Sequence, residues 1–319
     1  MDLALDADQQ QLVDVFAGFL AKECPTSRVR AAEPLGFDAD LWRSLGQLGG
    51  PTMAAPEAAG GSGASLLDAS LVCEQLGAAL APVPFVESTV AARLLARCGE
   101  PLDALLTDPP AVATIELPGA RLVPAGAVAS TVLGLVDGAL VAVHEEGPGV
   151  APANLGSSPL ATRSVAGGQV IAPDASDAFV VAVDEWFALT AALLVGLATA
   201  ALDLGVQYAK ERQQFGVPIG SFQALAHGLA DAATAVDGAR LLAREAAWSD
   251  GATTGLPLMA YLCAGRAAQL ASARSLHVHG GYGFSEEYDI QLYYRRAKAW
   301  SVAAGDPRRL AASLGKALA

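Results

Sequence analysis

Two short segments carry the side chains best suited to holding a ligand. Arg212-Gln213-Gln214-Phe215-Gly216 offers a guanidinium, followed after one turn's worth of chain by Phe222-Gln223. An arginine fork matches phosphate oxygens, because its planar donors meet two acceptors at once. His277-Val278-His279-Gly280-Gly281 ends in two glycines, where no Cβ covers the backbone. Plainer readings stay open. Arg212 falls in the last turn of an expected helix, where a cation suits the macrodipole, and a double glycine also stops a helix. His277 and His279 are two residues apart, so on a helix they face different ways and make no metal pair. Cys24, Cys73, Cys98 and Cys263 lie far apart without a Cys-x-x-Cys pair, which argues for reduced, mostly buried thiols and against zinc.

The 319 residues are 53% hydrophobic and carry a net charge of −13, which excludes disorder and a general nucleic-acid binder. Charge divides unevenly. Residues 1–184 hold 8 basic and 22 acidic side chains, whereas residues 185–319 hold 12 and 11. A phosphate-bearing ligand therefore belongs with the second part, although an acidic first half also serves solubility alone. The longest clean apolar run, Phe187 to Leu202, has 16 residues, short of the roughly 20 that span a bilayer, so no membrane insertion is expected. Met1-Asp2-Leu3-Ala4-Leu5-Asp6 has no basic stretch before an apolar one and does not read as a leader. A cytoplasmic protein is expected.

Residues 1–107 read as an N-terminal helical domain, with helices over Asp6–Leu20, Ser65–Leu80 and Glu87–Cys98 and a Gly/Pro-rich connector from Gly49 to Gly63. Residues 108–184 read as a small β domain. Its strands are expected at Val112–Ile115, Val128–Leu135, Leu140–Val143 and Ala178–Val183, with Asp137-Gly138 as a hairpin turn. Residues 185–319 read as a bundle with helices at Phe187–Gln214, from Ser221, at Leu256–Val278 and at Ile290–Ala303, and a short last helix.

Three patterns in this order resemble the acyl-CoA dehydrogenase family. They are Pro56-Glu57-Ala58-Ala59-Gly60-Gly61-Ser62-Gly63 with Glu74-Gln75-Leu76-Gly77; Arg212 to Ile219 with Phe222-Gln223; and His277 to Phe284 with Tyr294-Arg295-Arg296-Ala297-Lys298. The resemblance spans both helical domains and implies an α+β fold, mainly α: an N-terminal helical domain, a small truncated β-sheet domain and a C-terminal four-helix bundle. It implies FAD as cofactor and α,β-desaturation of an acyl-CoA thioester, in which a carboxylate takes the α proton and the flavin receives the β hydride. In such enzymes the Arg-x-x-Phe-Gly segment reaches the ADP half of FAD held by a neighbouring subunit. Arg212 would then pair with pyrophosphate, Phe215 pack near adenosine, Gln223 hydrogen-bond the cofactor, and Gly280 and Gly281 approach the diphosphate. His277 stands where the family usually has Gln.

The chain departs from that pattern at the base. The expected glutamate position is Ala304, and the alternative position on the preceding helix is Arg266; neither can take a proton. Asp306 is the nearest carboxylate, two positions late, and reads better as the N-cap before Pro307. The middle domain is short, with Thr114 to Ala120 a faint remnant of the flavin-covering stretch. Shortened chains without the base resemble the smaller subunit of heteromeric α2β2 acyl-CoA dehydrogenases, whose longer partner carries the glutamate. The alternatives are a self-sufficient flavoenzyme with a displaced base, or a non-catalytic acyl-CoA-binding or scaffold protein.

Overall fold

The computed structural model describes residues 4–144, 151–250 and 253–318. Residues 1–3, half of the segment read for a leader, lie outside them. The N-terminal part holds α1 (Ala7–Glu23), α2 (Thr26–Ala31), α3 (Ala39–Gln47), α4 (Leu66–Ala78) and α5 (Phe85–Arg97). Local chemistry sets where these begin. Asp6 caps α1 and closes a capping box with Gln9, Asp38 caps α3, and Ser65 does the same for α4 with Asp68. The connector between α3 and α4 is irregular with two 3₁₀ turns, as its glycines and prolines require.

The middle sheet contains β1 (Ala113–Ile115), β2 (Thr131–Val136), β3 (Ala139–His144) and β4 (Gln169–Ala172), in that order across the sheet. β1 runs parallel to β2, and the other neighbours are antiparallel. Asp137 and Gly138 both take positive φ, 49° and 85°, and Val136 pairs with Ala139. This is the two-residue hairpin that the Asp-Gly pair signals, its twist matched to that of the strands.

The expected strand at Ala178–Val183 is helical instead. It forms the start of α6 (Ser176–Glu211), a 36-residue helix that begins where the Ala175 N–H bonds the Gly138 carbonyl of the hairpin. Phe179, Ala182 and Trp186 are buried while Val180 is exposed, so burial here follows a helical period. The same helix stops at Glu211, not Gln214. The fourth strand is β4, an edge strand too short and mixed to stand out in the sequence.

The bundle consists of α6, α7 (Gln223–Ser249), α8 (Leu256–His279) and α9 (Ile290–Trp300), with α10 (Pro307–Ala317) closing the chain. α6 lies at its centre, packed on α4, α7, α8 and α9. By length and composition α6 could cross a membrane, more than its 16-residue clean run suggests. Yet 67% of its most apolar window is buried inside the protein, the pattern of a core helix. Trp186, Phe187 and Tyr261 form an aromatic cluster with centroids 5.3–5.7 Å apart. The unpaired cysteines range from buried Cys24 and Cys73 through Cys98 to exposed Cys263, fewer buried than the sequence reading holds.

Ion pairs fasten the layers. Glu185, 2% exposed, accepts from Arg93 at 2.7 Å and from Arg97, while Arg240 joins Glu74 to Thr199. Arg28 forks onto both carboxylate oxygens of Asp38, at 2.5 and 2.8 Å. That pairing holds the Asp38 carboxyl below its usual range against the opposing effect of burial. Burial raises Glu33, but the Arg295 and Arg296 guanidinium groups outweigh it and the net shift is downward. Both acids bind protons less readily folded than unfolded, so their stabilisation is complete above the unfolded carboxylate pKa of about 4 and fades as pH falls below it. Asp38→Asn is expected to lower the melting temperature at pH 7 and to flatten its decline between about pH 4 and pH 2. An unchanged pH profile would remove Asp38 from this account.

Candidate functional site

The chain folds the two ligand-suited segments onto one end of the bundle. α7 runs back along α6, and α8 returns parallel to α6, so the end of α6, the start of α7 and the end of α8 coincide. Three contacts pin them. Tyr208 of α6 stacks on His279 of α8 with centroids 4.3 Å apart, Gly205 faces Ser275, and Gly228 of α7 lies against the Arg274 side chain. The His279 Nδ1–H donates to the Ser275 carbonyl at 2.7 Å, which fixes its tautomer and buries the ring. His277, two residues earlier, faces solvent as the helical geometry requires.

After α6, β5 (Gln213–Gln214) and β6 (Val217–Pro218) make a miniature hairpin whose turn is Phe215 at φ 54° and Gly216 at φ 80°. Phe215 is thrust outward, 94% exposed, with the Phe222 ring edge-on at 6.2 Å. The turn gives a physical reason for both residues: Gly216 adopts the left-handed backbone without penalty, and Phe215 is carried there to project. Arg212 is exposed beside it and forms no ion pair among the described residues. α7 opens with Phe222 as N-cap, so no side chain satisfies its first N–H groups, and exposed Gln223 is its first residue. A long helix ending in open donors attracts anions.

Gly280 takes φ 60° and ψ −138°, a backbone region kept to glycine, and no atom lies within 4 Å of a Cβ at Gly280 or Gly281. Tyr282 and Phe284 beyond them are exposed. Arg212, Gln223, the α7 N-terminus and the open glycine backbone thus offer donors and close approach at one end of the bundle, with Phe215 exposed beside Arg212. That set suits a diphosphate joined to an aromatic base, as in FAD.

The expected base position sits elsewhere. Ala304 is buried, 4% exposed, just after α9. Asp306 is exposed and caps α10, accepting from the Arg308 N–H at 2.9 Å. Arg266, Glu286 and Glu287 are on the surface. Next to Ala304 is a cavity of about 90 Å³ between the α4–α5 turn, α6, α9 and residues 157–160. Its walls include Trp300 and Ala303, with Trp186, Thr190, Arg296 and one acid, Glu87. Burial pushes the Glu87 carboxyl upward, only partly offset by its own backbone N–H and by the Trp186 indole nearby. The surface that Glu87 keeps goes with its place on the cavity wall.

Neither Glu87 nor the burial of Arg296 follows from the sequence reading. The one available signal was the second arginine in Tyr294-Arg295-Arg296-Ala297-Lys298, a charge where the family segment has an acid. Thr114, in the remnant stretch, is buried and donates to the Pro124 carbonyl at 2.7 Å. Glu116 to Ala120 line a second, wider hollow of about 480 Å³ against Phe179 and Asp184.

A helical domain, a small sheet and a helical bundle, in that order along the chain, are the layout of a flavin-dependent dehydrogenase. Residues 6–102 match the acyl-CoA dehydrogenase N-terminal domain and residues 188–318 the acyl-CoA dehydrogenase C-terminal domain. The acyl-CoA dehydrogenase IpdE2 of Mycolicibacterium smegmatis is 32% identical over 95% of this chain and 96% of its own. A chain of the ChsE4–ChsE5 complex from Mycobacterium tuberculosis superposes with a TM-score of 0.87 at 27% identity, over 100% of this chain and 99% of that one. A chain of the Tcur3481–Tcur3483 steroid acyl-CoA dehydrogenase, in a G363A variant, gives 0.86 at 27%, over 97% of each. The chain belongs to the acyl-CoA dehydrogenase family.

Proposed function

We propose that this chain is the subunit without the base in a heteromeric, FAD-dependent acyl-CoA dehydrogenase, and that it completes the cofactor site of a longer partner bearing the catalytic glutamate. The observation that carries this is buried Ala304 at the base position, with Asp306 committed to capping α10. Two of the similar structures, the ChsE4–ChsE5 complex and Tcur3481–Tcur3483, pair two different proteins, which supports the reading.

FAD, when bound, accepts the β hydride of the acyl-CoA. This chain's part is binding and orientation. Arg212 neutralises pyrophosphate charge, the α7 N–H groups and Gln223 donate to it, and His277 donates one further hydrogen bond. Gly280 and Gly281 let the main chain come close, and Phe215 packs near adenosine across the subunit boundary. The α proton is taken by the partner's glutamate. Residues 1–107 act as the helical domain, the β domain of 108–184 gives up its last residues to α6 from Ser176 on, and residues 185–319 hold the cofactor contacts. Four unpaired cysteines favour the reducing cytoplasm as its compartment.

The test is the visible spectrum and acyl-CoA oxidation of the chain purified alone and with a glutamate-bearing homologue from the same genome. The expected result is a colourless, inactive chain alone and a yellow, active complex. Full FAD occupancy with turnover by the lone chain would overturn the proposal.

A further inference from the structure

The turn that carries Gly280 and Gly281 is held from the far end of the chain. Beyond it, residues 285–289 lead into α9. Their main chain closes with one bond at 3.0 Å, Ser285 N–H to the Tyr282 carbonyl, and a long one at 3.4 Å, Tyr288 N–H to the Ser285 carbonyl. Helix α2 of the N-terminal domain adds three more. Arg30 donates from Nη1 to the Glu286 carbonyl at 2.6 Å and from Nη2 to Asp289 Oδ1 at 2.7 Å. Thr26 Oγ1 donates to Asp289 Oδ2 at 2.9 Å. Both carboxylate oxygens of Asp289 and a main-chain carbonyl of the same loop are thus tied to one short helix.

The loop meets the turn through one ring. Tyr288 stands edge-on to His279 at 6.0 Å and to Tyr208 at 6.5 Å, and lies tilted against Tyr282 at 5.5 Å. His279 and Tyr282 flank Gly280 and Gly281 directly, so a displaced Tyr288 frees both sides of the turn. That matters at Gly280. Its backbone at φ 60° and ψ −138° is one of many conformations open to a glycine, and its surroundings must select it. Energy separates this role from plain fastening. The Arg30 and Asp289 side chains keep 31% and 36% of their surface, and ion pairs so exposed add little to folding. What the fork fixes is geometry, because its planar donors hold a carbonyl and a carboxylate at once.

We propose that Arg30 is a positioning residue for the cofactor: from α2 it holds the 285–289 loop, and through Tyr288 the Gly280–Gly281 turn, in the shape that admits the diphosphate of FAD. The proposal rests on the reading of the bundle end as part of an FAD site. It brings the N-terminal helical domain into that site without requiring α2 to touch the cofactor.

Two measurements on Arg30→Met test this: amide hydrogen exchange of the full chain, alone or in its complex, and FAD titration of the complex with the glutamate-bearing partner. Faster exchange confined to residues 280–289 is expected, with the melting temperature nearly unchanged because truncation leaves Asp289 solvated. FAD should bind about tenfold more weakly, as when the competent turn is populated about a tenth of the time. Arg30→Lys keeps the charge without the fork and should recover only part of both effects. Should Arg30→Met fail to fold, Asp289→Asn weakens the same clamp from the other side and is expected to shift both readouts in the same direction. Unchanged exchange at 280–289, unchanged FAD affinity while Arg212→Ala weakens FAD, or full recovery in Arg30→Lys would each overturn the proposal. FAD binding indifferent to both Arg30→Met and Arg212→Ala would overturn the cofactor reading of the bundle end, and this proposal with it.

Discussion

A methyl group at position 196 is expected to destabilise the protein more than almost any other single-carbon change. Gly196 lies in α6 where it crosses α4, and a Cβ built there meets the Glu74 carbonyl oxygen at 1.8 Å and the Ala78 nitrogen at 2.9 Å. The contact is reciprocal one turn along, where a Cβ on Gly77 meets the Leu193 carbonyl oxygen at 1.9 Å. Both obstacles are backbone, so no side chain can swing aside and the two helices must separate. Overpacking costs typically 1–3 kcal/mol, and a backbone-on-backbone clash at a central crossing belongs at the top of that range, so Gly196→Ala should cost about 3 kcal/mol or more. Thermal unfolding measures it. Gly18→Ala is the control: Gly18 is exposed in mid-α1 with nothing within 4 Å, and there alanine should stabilise by roughly 0.5–1 kcal/mol through helix propensity. Equal melting of Gly196→Ala and the parent protein would mean that the α4–α6 crossing is not as close as described.

That crossing shows what kind of information the sequence holds. Gly77 stands in Glu74-Gln75-Leu76-Gly77, one of the patterns behind the resemblance, but the pattern alone gives no reason for a glycine there. The reason is the backbone of Leu193, 116 residues later in the chain. Features set by neighbours in sequence were legible: helices opening near Asp6 and Ser65, Asp137-Gly138 as a hairpin, Asp306 as the cap of α10. Ala178–Val183 misled because Phe-Val-Val-Ala-Val is apolar and β-branched, and a short run of that kind fits a buried strand and a buried helix equally. Tertiary packing decided, since α6 continues unbroken through it to Glu211.

The bundle end and the cavity beside Ala304 divide along the same line. The bundle-end residues lie in two compact segments that carry the resemblance, so Arg212, Phe215, Gln223, His277, Gly280 and Gly281 could be gathered from the sequence, and the fold brings their elements to one end of the bundle. The cavity draws Glu87 from α5, Trp186 and Thr190 from α6, and Arg296 from α9. No spacing rule connects those elements. Only the packing of α5 and α9 against α6 does so.

Arg212→Ala is expected to strip flavin from the assembled enzyme while leaving its fold intact. The side chain is exposed and has no ion-pair partner among the described residues, so truncation removes no packing and leaves no buried group unsatisfied. Its value lies in the ligand. A hydrogen bond between charged groups contributes roughly 1.5–3 kcal/mol, which corresponds to about a 10- to 150-fold weaker FAD complex. Arg212→Lys keeps the charge but not the planar fork, and should fall between the two. Because the contact is exposed, raising salt should weaken FAD in the parent and in Arg212→Lys but hardly in Arg212→Ala. The measurement is flavin content per complex after gel filtration, followed by FAD titration of the apoprotein, with partner binding checked by co-elution. A complex that assembles and keeps its full flavin in Arg212→Ala would take this residue out of the cofactor site. A complex that assembles but loses flavin would separate cofactor binding from subunit docking, and would assign the exposed end of α6 to the partner's FAD.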